Sequence, residues 1–142
     1  MNQPSFSDVL HRLMHAYKGQ LLSGLRACDV TLPVSHIRAL KACAHISQCT
    51  ARDIAAKLDR DKAQITRVVN GLLKAGLIEK HPNPSDQRSQ ILVPSHAGQS
   101  LLLTLESIER ETVAQLTRHL TGDDLDTFAR ISRSMIESAA ES

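Results

Sequence analysis

Residues 61–94, DKAQITRVVNGLLKAGLIEKHPNPSDQRSQILVP, change from a helical to a strand-like pattern within one short segment. Apolar residues first recur at three- and four-residue steps, the spacing of one face of an α-helix. Gly76 then stands where a helix commonly ends in a left-handed conformation. Two short apolar runs follow, separated by the prolines, asparagine and serine typical of a hairpin connection. The stretch therefore predicts a helix over about 61–75 and a β-hairpin with strands 77–80 and 89–93.

The chain on both sides of this segment is predicted to be helical. Threonine and aspartate three residues apart form capping boxes at Thr50 and Thr121, and Ser95 is a suitable N-cap directly after the hairpin. The fold class expected is mainly α with a small β-hairpin wing, a winged helix-turn-helix flanked by further helices. The remaining predicted helices run from Ser5 to about Ala27, from Pro33 through Ala44, over about 51–58, from Ser95 to about Arg118, and from Thr121 onward.

Composition is that of an ordinary globular domain and excludes several classes of protein. The 142 residues are 42% hydrophobic and 23% charged, and no apolar run approaches the roughly 20 residues needed to span a bilayer. The N-terminus lacks the pattern of a signal peptide, so a cytoplasmic protein without a membrane partner is expected. Residues 50–94 carry eight Lys or Arg against five acidic residues. That segment is therefore the one best suited to meet an anion.

The predicted helix over 61–75 has two chemically different faces. At 100° per residue its apolar members fall on one side, and these are Ile65, Val68, Val69 and Leu72. The opposite side carries groups that can read or approach DNA, and these are Ala63, Arg67, Asn70, Gly71 and Lys74, flanked by Gln64 and Thr66. Arginine pairs with guanine, an amide pairs with adenine, and a hydroxyl bonds either a base or a phosphate. The helix is predicted to be the recognition helix of a DNA-binding lobe.

The sequence resembles the MarR (multiple antibiotic resistance regulator) family of transcriptional regulators. The resemblance is carried by TARDIAAKLDRDKAQITRVVNGLLKAGLIEKHPNPSDQRSQILVPSHAG, and above all by its DKAQITRVVNGLLKAGLI block and the Asp86-Gln87-Arg88 triplet, which is similar to the family's DxR signature. It implies a homodimer held by residues 1–30 and 95–142, with residues 31–94 as the winged helix-turn-helix lobe. It also implies a repressor that binds a pseudo-palindromic operator and is released by a small-molecule effector of unknown identity and binding site.

The family resemblance also implies roles for individual residues. Gln64, Thr66 and Arg67 match positions that contact bases or phosphates, and Arg88 matches the arginine that enters the flanking minor groove. A narrow minor groove concentrates negative potential, which suits a permanently charged guanidinium. Asp86 matches the acid that supports the wing, and a carboxylate there is expected to hold Arg88, another arginine or the backbone N–H groups of the loop. The DNA-contacting set expected is Gln64, Thr66, Arg67, Asn70, Lys74 and Arg88.

One segment departs from the family pattern. The LTxxG that usually follows the wing is replaced by Val93-Pro94-Ser95-His96-Ala97-Gly98, in which Ser95 can still cap the next helix.

Other kinds of site are less well supported by the residues. His11 and His15 lie four residues apart, a spacing that can ligate a metal ion, but no third ligand is near them in sequence, so no metal and no cofactor is expected. The chain has no catalytic triad, phosphate loop or HExxH motif, so an enzyme is not expected. Cys28, Cys43 and Cys49 are expected to be reduced, with Cys43 in the core and Cys49 near a loop between two helices, where it could be exposed. Two alternatives remain open, namely a regulator that senses oxidants through a cysteine and a winged-helix module that binds protein without DNA.

Overall fold

A computed structural model describes residues 3–142 as six helices and one two-stranded antiparallel sheet. The elements in chain order are α1 (Phe6–Ala27), α2 (Val34–His45), α3 (Ala51–Leu58), α4 (Lys62–Lys74), β1 (Ile78–Pro82), β2 (Gln90–Pro94), α5 (His96–Leu116) and α6 (Gly122–Ala140). The predicted fold class, mainly α with a hairpin wing, is confirmed. None of the helices formed by the described residues is long and apolar enough to cross a membrane.

The hairpin lies one to two residues further along than its sequence pattern predicts. Its register pairs Ile78 with Pro94 and Pro82 with Gln90. Each proline is therefore the last residue of its strand, and Pro94 lies one residue beyond the predicted end of the second strand. A two-stranded sheet tolerates them because proline, which has no N–H to donate, is found mainly on edge strands and at strand ends.

Capping residues set the starts of α3, α4 and α6. Thr50 and Asp53 form the predicted box at α3, with the Thr50 backbone N–H donating to the Asp53 carboxylate at 2.9 Å. Thr121 forms the same box with the residue three positions later at α6. Asp61, which was not predicted as a cap, accepts the backbone N–H of Gln64 at 2.8 Å and begins α4. Because side-chain oxygens satisfy N–H groups that have no partner within the helix, these starts follow from local sequence.

Residues Leu25–Ser107 form one compact unit around the helix-turn-helix and the wing. Its apolar core is built mainly by α2, α3 and α4, and by the sides of the two strands that face them. The side chains with almost no exposed surface there are Leu40, Cys49, Ile54, Ile65 and Leu72. Burying a large aliphatic side chain contributes roughly 1.5–3 kcal/mol, so these residues fix how the recognition helix is held.

The end of α4 is closed by the glycine that the sequence marks. Gly76 adopts φ +73°, and its backbone N–H donates to the Leu73 carbonyl at 3.0 Å. The N–H of Leu77 donates to the Leu72 carbonyl, also at 3.0 Å. This pair of bonds is the Schellman motif, for which glycine is favoured because a left-handed residue with a side chain is strained. The chain consequently turns directly from the recognition helix into β1.

The second compact unit comprises α1 as far as Gly24 together with Ile108–Ser142. Gly24 lies against α5, where a Cβ would come within 2.8 Å of the Ile108 side chain. α6 has no buried residue, yet large apolar side chains stand exposed along α1 and α6. These exposed side chains are Phe6, Val9, Leu10, Leu13, Met14 and Tyr17 on α1, and Leu125, Phe128, Ile131, Met135 and Ile136 on α6. Contiguous apolar surface of this kind usually marks an interface.

Candidate nucleic-acid interface

The exposed side of α4 carries the polar residues that the sequence analysis selected. Ile65, Val68, Val69 and Leu72 are buried, as predicted from the helical periodicity. The structure leaves exposed the five residues expected to contact DNA from this helix, which are Gln64, Thr66, Arg67, Asn70 and Lys74. The helix itself contains no acidic residue. The outward face therefore combines cationic and amide groups on a helix whose opposite face is fixed in the core.

The hydroxyl of Thr66 is already engaged within the helix. It donates to the Lys62 carbonyl at 2.8 Å, while the residue remains exposed. A phosphate oxygen only accepts hydrogen bonds, so Thr66 would have to break this bond to donate to the DNA backbone. The Thr66 methyl group and the lone pairs of its hydroxyl oxygen are not used by this hydrogen bond and remain available for contacts. Contact with a thymine methyl or a base amino group is therefore more compatible with this geometry.

Gly71 lies against the neighbouring helix α2. It is half-buried, and a Cβ at this position would lie 2.8 Å from Nε2 of His36 on α2. The Nδ1 atom of His36 lies 3.3 Å from the Ser35 hydroxyl. The sequence places Gly71 on the outward face because helical geometry alone does not show where α2 packs. His36 is accordingly a residue of this region that sequence reasoning missed, and no spacing along α4 could have indicated it.

The wing loop is ordered by its own polar side chains. The Asp86 carboxylate accepts the backbone N–H of Arg88 at 2.9 Å, and the Asn83 side-chain oxygen accepts that of Ser85 at 3.0 Å. The Asn83 amide also donates to the Ser89 hydroxyl at 3.0 Å across the base of the loop. Such side-chain bonds to nearby backbone groups stabilise turns without a regular ladder. Arg88 lies exposed in this braced loop.

The three cysteines occupy two different environments. Cys28 is exposed, whereas Cys43 and Cys49 are both buried in the core of the helix-turn-helix. Cys49 does lie in the loop between α2 and α3, but its side chain is only 1% exposed, and its carbonyl accepts the Leu92 N–H of β2 at 2.7 Å. The interaction between the two neighbouring thiols lowers the pKa of Cys43 and raises the pKa of Cys49.

Among the described residues, no group of three or more His, Cys, Asp or Glu side chains is placed to hold a metal ion. His11 and His15 lie exposed on α1.

A short helix pair with a buried core, followed at once by an antiparallel hairpin with a polar tip, defines a winged helix-turn-helix protein. The MarR family model matches residues 29–89, which contain both the recognition helix and the wing triplet. By this match and by the six-helix fold around it, the chain is similar to the MarR family of winged-helix transcriptional regulators. No curated protein sequence matches the chain.

Solved structures share the fold over nearly the whole chain. MarR from E. coli in its apo form is 18% identical, with 95% of this chain and 98% of that chain covered at a TM-score of 0.77. S. aureus MepR in a DNA complex is 19% identical, with 96% and 99% covered and a TM-score of 0.78. CouR from Rhodococcus jostii RHA1, bound to p-coumaroyl-CoA, is 22% identical, with 96% and 92% covered and a TM-score of 0.76.

Proposed function

We propose that this chain is a homodimeric, sequence-specific DNA-binding regulator that represses transcription from a pseudo-palindromic operator. The observation that carries the proposal is the exposed polar face of α4 on a helix whose other face is locked into the core. In this proposal Gln64, Thr66, Arg67, Asn70 and Lys74 meet the major groove, with Arg67 reading guanine and the amides reading adenine. Solved MepR is bound to DNA, which supports a nucleic-acid partner for the same fold.

The wing supplies the second part of the proposed interface. Arg88 would enter the minor groove beside each half-site, where the negative potential is strongest over narrow A·T tracts. Asp86 would hold the backbone of the loop, since it already accepts the Arg88 N–H. A turn fixed before binding loses less conformational entropy when it meets DNA.

Dimerisation is proposed to use the apolar side chains exposed on α1 and α6. Residues 1–30 and 95–142 would then form the dimerisation region, and residues 31–94 the DNA-binding lobe. Half-sites one helical turn apart require recognition helices about 34–36 Å apart, which two copies of one lobe can satisfy. Phe128→Asp would place a charge in that surface. Sedimentation at micromolar concentration should show dimer for the parent protein and monomer for this variant, and dimer for both would contradict the assignment.

DNA binding is tested by selecting bound fragments from random duplexes and measuring their affinity at several salt concentrations. A specific binder should enrich a pseudo-palindrome and lose affinity steeply with salt. Arg67→Ala should weaken binding and relax the choice of base at one position of each half-site. A winged-helix module that binds only protein would enrich no sequence, and Arg67→Ala would then leave duplex binding unchanged.

Relief by an effector is the regulatory part of the proposal. CouR was solved with p-coumaroyl-CoA bound, so a protein of this fold does take up a small organic ligand. An effector that binds the DNA-free dimer better must weaken DNA binding by the same factor, because coupling is reciprocal. Titration of candidate metabolites against the operator complex tests this, and a protein released by none of them would be a constitutive binder.

Oxidant sensing is a second candidate, favoured by the placement of Cys43 and Cys49 in the same buried cluster. A peroxide would convert Cys43 and Cys49 to one disulfide, the peroxide being reduced to an alcohol and water. The intact mass would then fall by two hydrogens and operator affinity would change, and Cys43→Ser would prevent both. Unchanged mass and affinity after peroxide treatment would exclude this role.

A further inference from the structure

The start of α5 is tied to the end of the recognition helix by the buried side chain of Ser95. Its hydroxyl donates to the Gly76 carbonyl at 2.6 Å, 19 residues earlier in the chain. The same hydroxyl accepts the backbone N–H of Gly98 at 3.1 Å, and the Ser95 N–H donates to the Leu77 carbonyl at 2.9 Å. An ordinary N-cap would satisfy only its own helix. Ser95 therefore caps α5 and binds the turn between α4 and β1 at the same time.

The backbone of α5 also approaches that turn more closely than a side chain would permit. A Cβ at Gly98 would collide with the carbonyl oxygen of Leu77. Gly76 and Leu77 are the two residues whose N–H groups close the end of α4. A continuous series of hydrogen bonds thus runs from the first turn of α5, through these two residues, into the recognition helix.

The base of the wing meets the same point. Leu77 immediately precedes β1, and Ser95 immediately follows β2, whose last residue Pro94 is paired with Ile78. The end of the recognition helix, both ends of the hairpin and the start of α5 are therefore joined within a few residues of the Ser95 hydroxyl. Losing that hydroxyl would leave the part-buried Gly76 carbonyl and the buried Gly98 N–H without this partner.

We propose that Ser95 is a positioning residue for DNA binding, which holds the recognition helix and the wing in the arrangement that reaches both grooves at once. The inference rests on the proposed function. Without the hydroxyl, a smaller fraction of molecules has helix and wing correctly placed before binding. The apparent dissociation constant rises as the inverse of that fraction, so a tenfold loss of the competent arrangement gives about tenfold weaker binding.

Threonine and valine make a matched pair for the test, because they have nearly the same shape and differ by the hydroxyl. Fluorescence anisotropy on the selected operator duplex should give about tenfold weaker binding for Ser95→Val, and binding within about twofold of the parent for Ser95→Thr. Hydrogen exchange in the free protein should become faster at the amides of Gly98 and Leu77 in the valine variant alone. Far-UV circular dichroism and thermal melting establish that each variant is folded at the assay temperature.

Equal operator affinity for the valine and threonine variants would overturn the positioning role, whatever the exchange rates. If Ser95→Val does not fold, the operator affinity of Ser95→Ala is compared with that of Ser95→Thr instead. If neither Ser95→Val nor Ser95→Ala folds, the hydroxyl is needed to keep the lobe folded, and its proposed role in positioning the helix and the wing is overturned. Arg67→Ala separates this inference from the proposed function. If that variant and Ser95→Val both bind like the parent, DNA recognition by α4 is wrong; if only Arg67→Ala weakens binding, only the role of Ser95 falls.

Discussion

Replacing Arg88 by alanine isolates the contribution of the wing to DNA binding. The Arg88 side chain is exposed, and in the wing it is the backbone N–H of Arg88 that donates a hydrogen bond to the Asp86 carboxylate. Alanine has the same backbone N–H and therefore retains this bond. The change should therefore leave the free energy of unfolding within about 0.5 kcal/mol of the parent. Its effect should appear in binding, because a permanent charge is removed from each wing of the dimer.

The expected size follows from one lost contact per wing. At about 1 kcal/mol for each, the two wings contribute roughly 2 kcal/mol, so operator affinity should fall about 30-fold. If each guanidinium neutralises one phosphate charge, the slope of log affinity against log salt should decrease by about 1.8. Arg88→Lys should restore most of the slope but only part of the affinity, since an ammonium is more strongly hydrated than a guanidinium.

Fluorescence anisotropy with the selected operator, at four or more salt concentrations, measures both quantities in one series. Arg110→Ala is the matched control, because it removes an exposed arginine from α5 outside the DNA-binding lobe. A folded Arg88→Ala protein with the affinity and salt slope of the parent would refute a role for the wing arginine. An equal loss for Arg110→Ala would show that net charge, and not the position of Arg88, governs binding.

Three further predictions concern the wing, the helix junction and the thiols. Asp86→Ala should weaken operator binding several-fold in the same assay, whereas Asp86→Asn, which keeps an acceptor oxygen, should bind nearly as the parent does. Gly98→Ala should lower the free energy of unfolding by about 1–3 kcal/mol in urea denaturation, because the added Cβ collides with the Leu77 carbonyl. Gly19→Ala, whose Cβ would stand in open space on α1, should raise the free energy of unfolding by about 0.5–1 kcal/mol. Iodoacetamide should modify Cys28 alone in the folded protein, and intact mass should show three adducts only after unfolding.

The faces of the recognition helix could be predicted because they depend on local geometry. Every residue of α4 lies on one regular screw, so the apolar spacing of Ile65, Val68, Val69 and Leu72 is sufficient to place them on the buried side. The threonine capping boxes and the helix-ending Gly76 were predictable for the same reason, since their partners lie within about five residues along the chain.

Strand boundaries were predicted less well because turn residues also fit inside short strands. The sequence pattern ends the two strands at residues 80 and 93, yet the pairing extends to Pro82 and Pro94. Proline has no backbone N–H to donate. A strand tolerates it where that position of the backbone faces solvent instead of the paired strand.

The order of the elements, the two faces of α4 and the polar composition of the wing could be predicted from the sequence, because each depends on residues that are neighbours along the chain. Three contacts became visible only in the folded chain: Gly71 accommodates His36, Cys49 is buried beside Cys43, and Ser95 joins α5 to the end of the recognition helix. These contacts connect residues on different elements, and periodicity within one element contains no information about which neighbour will pack against it. Their formation is instead set by how the helices and the hairpin exclude water from a shared core.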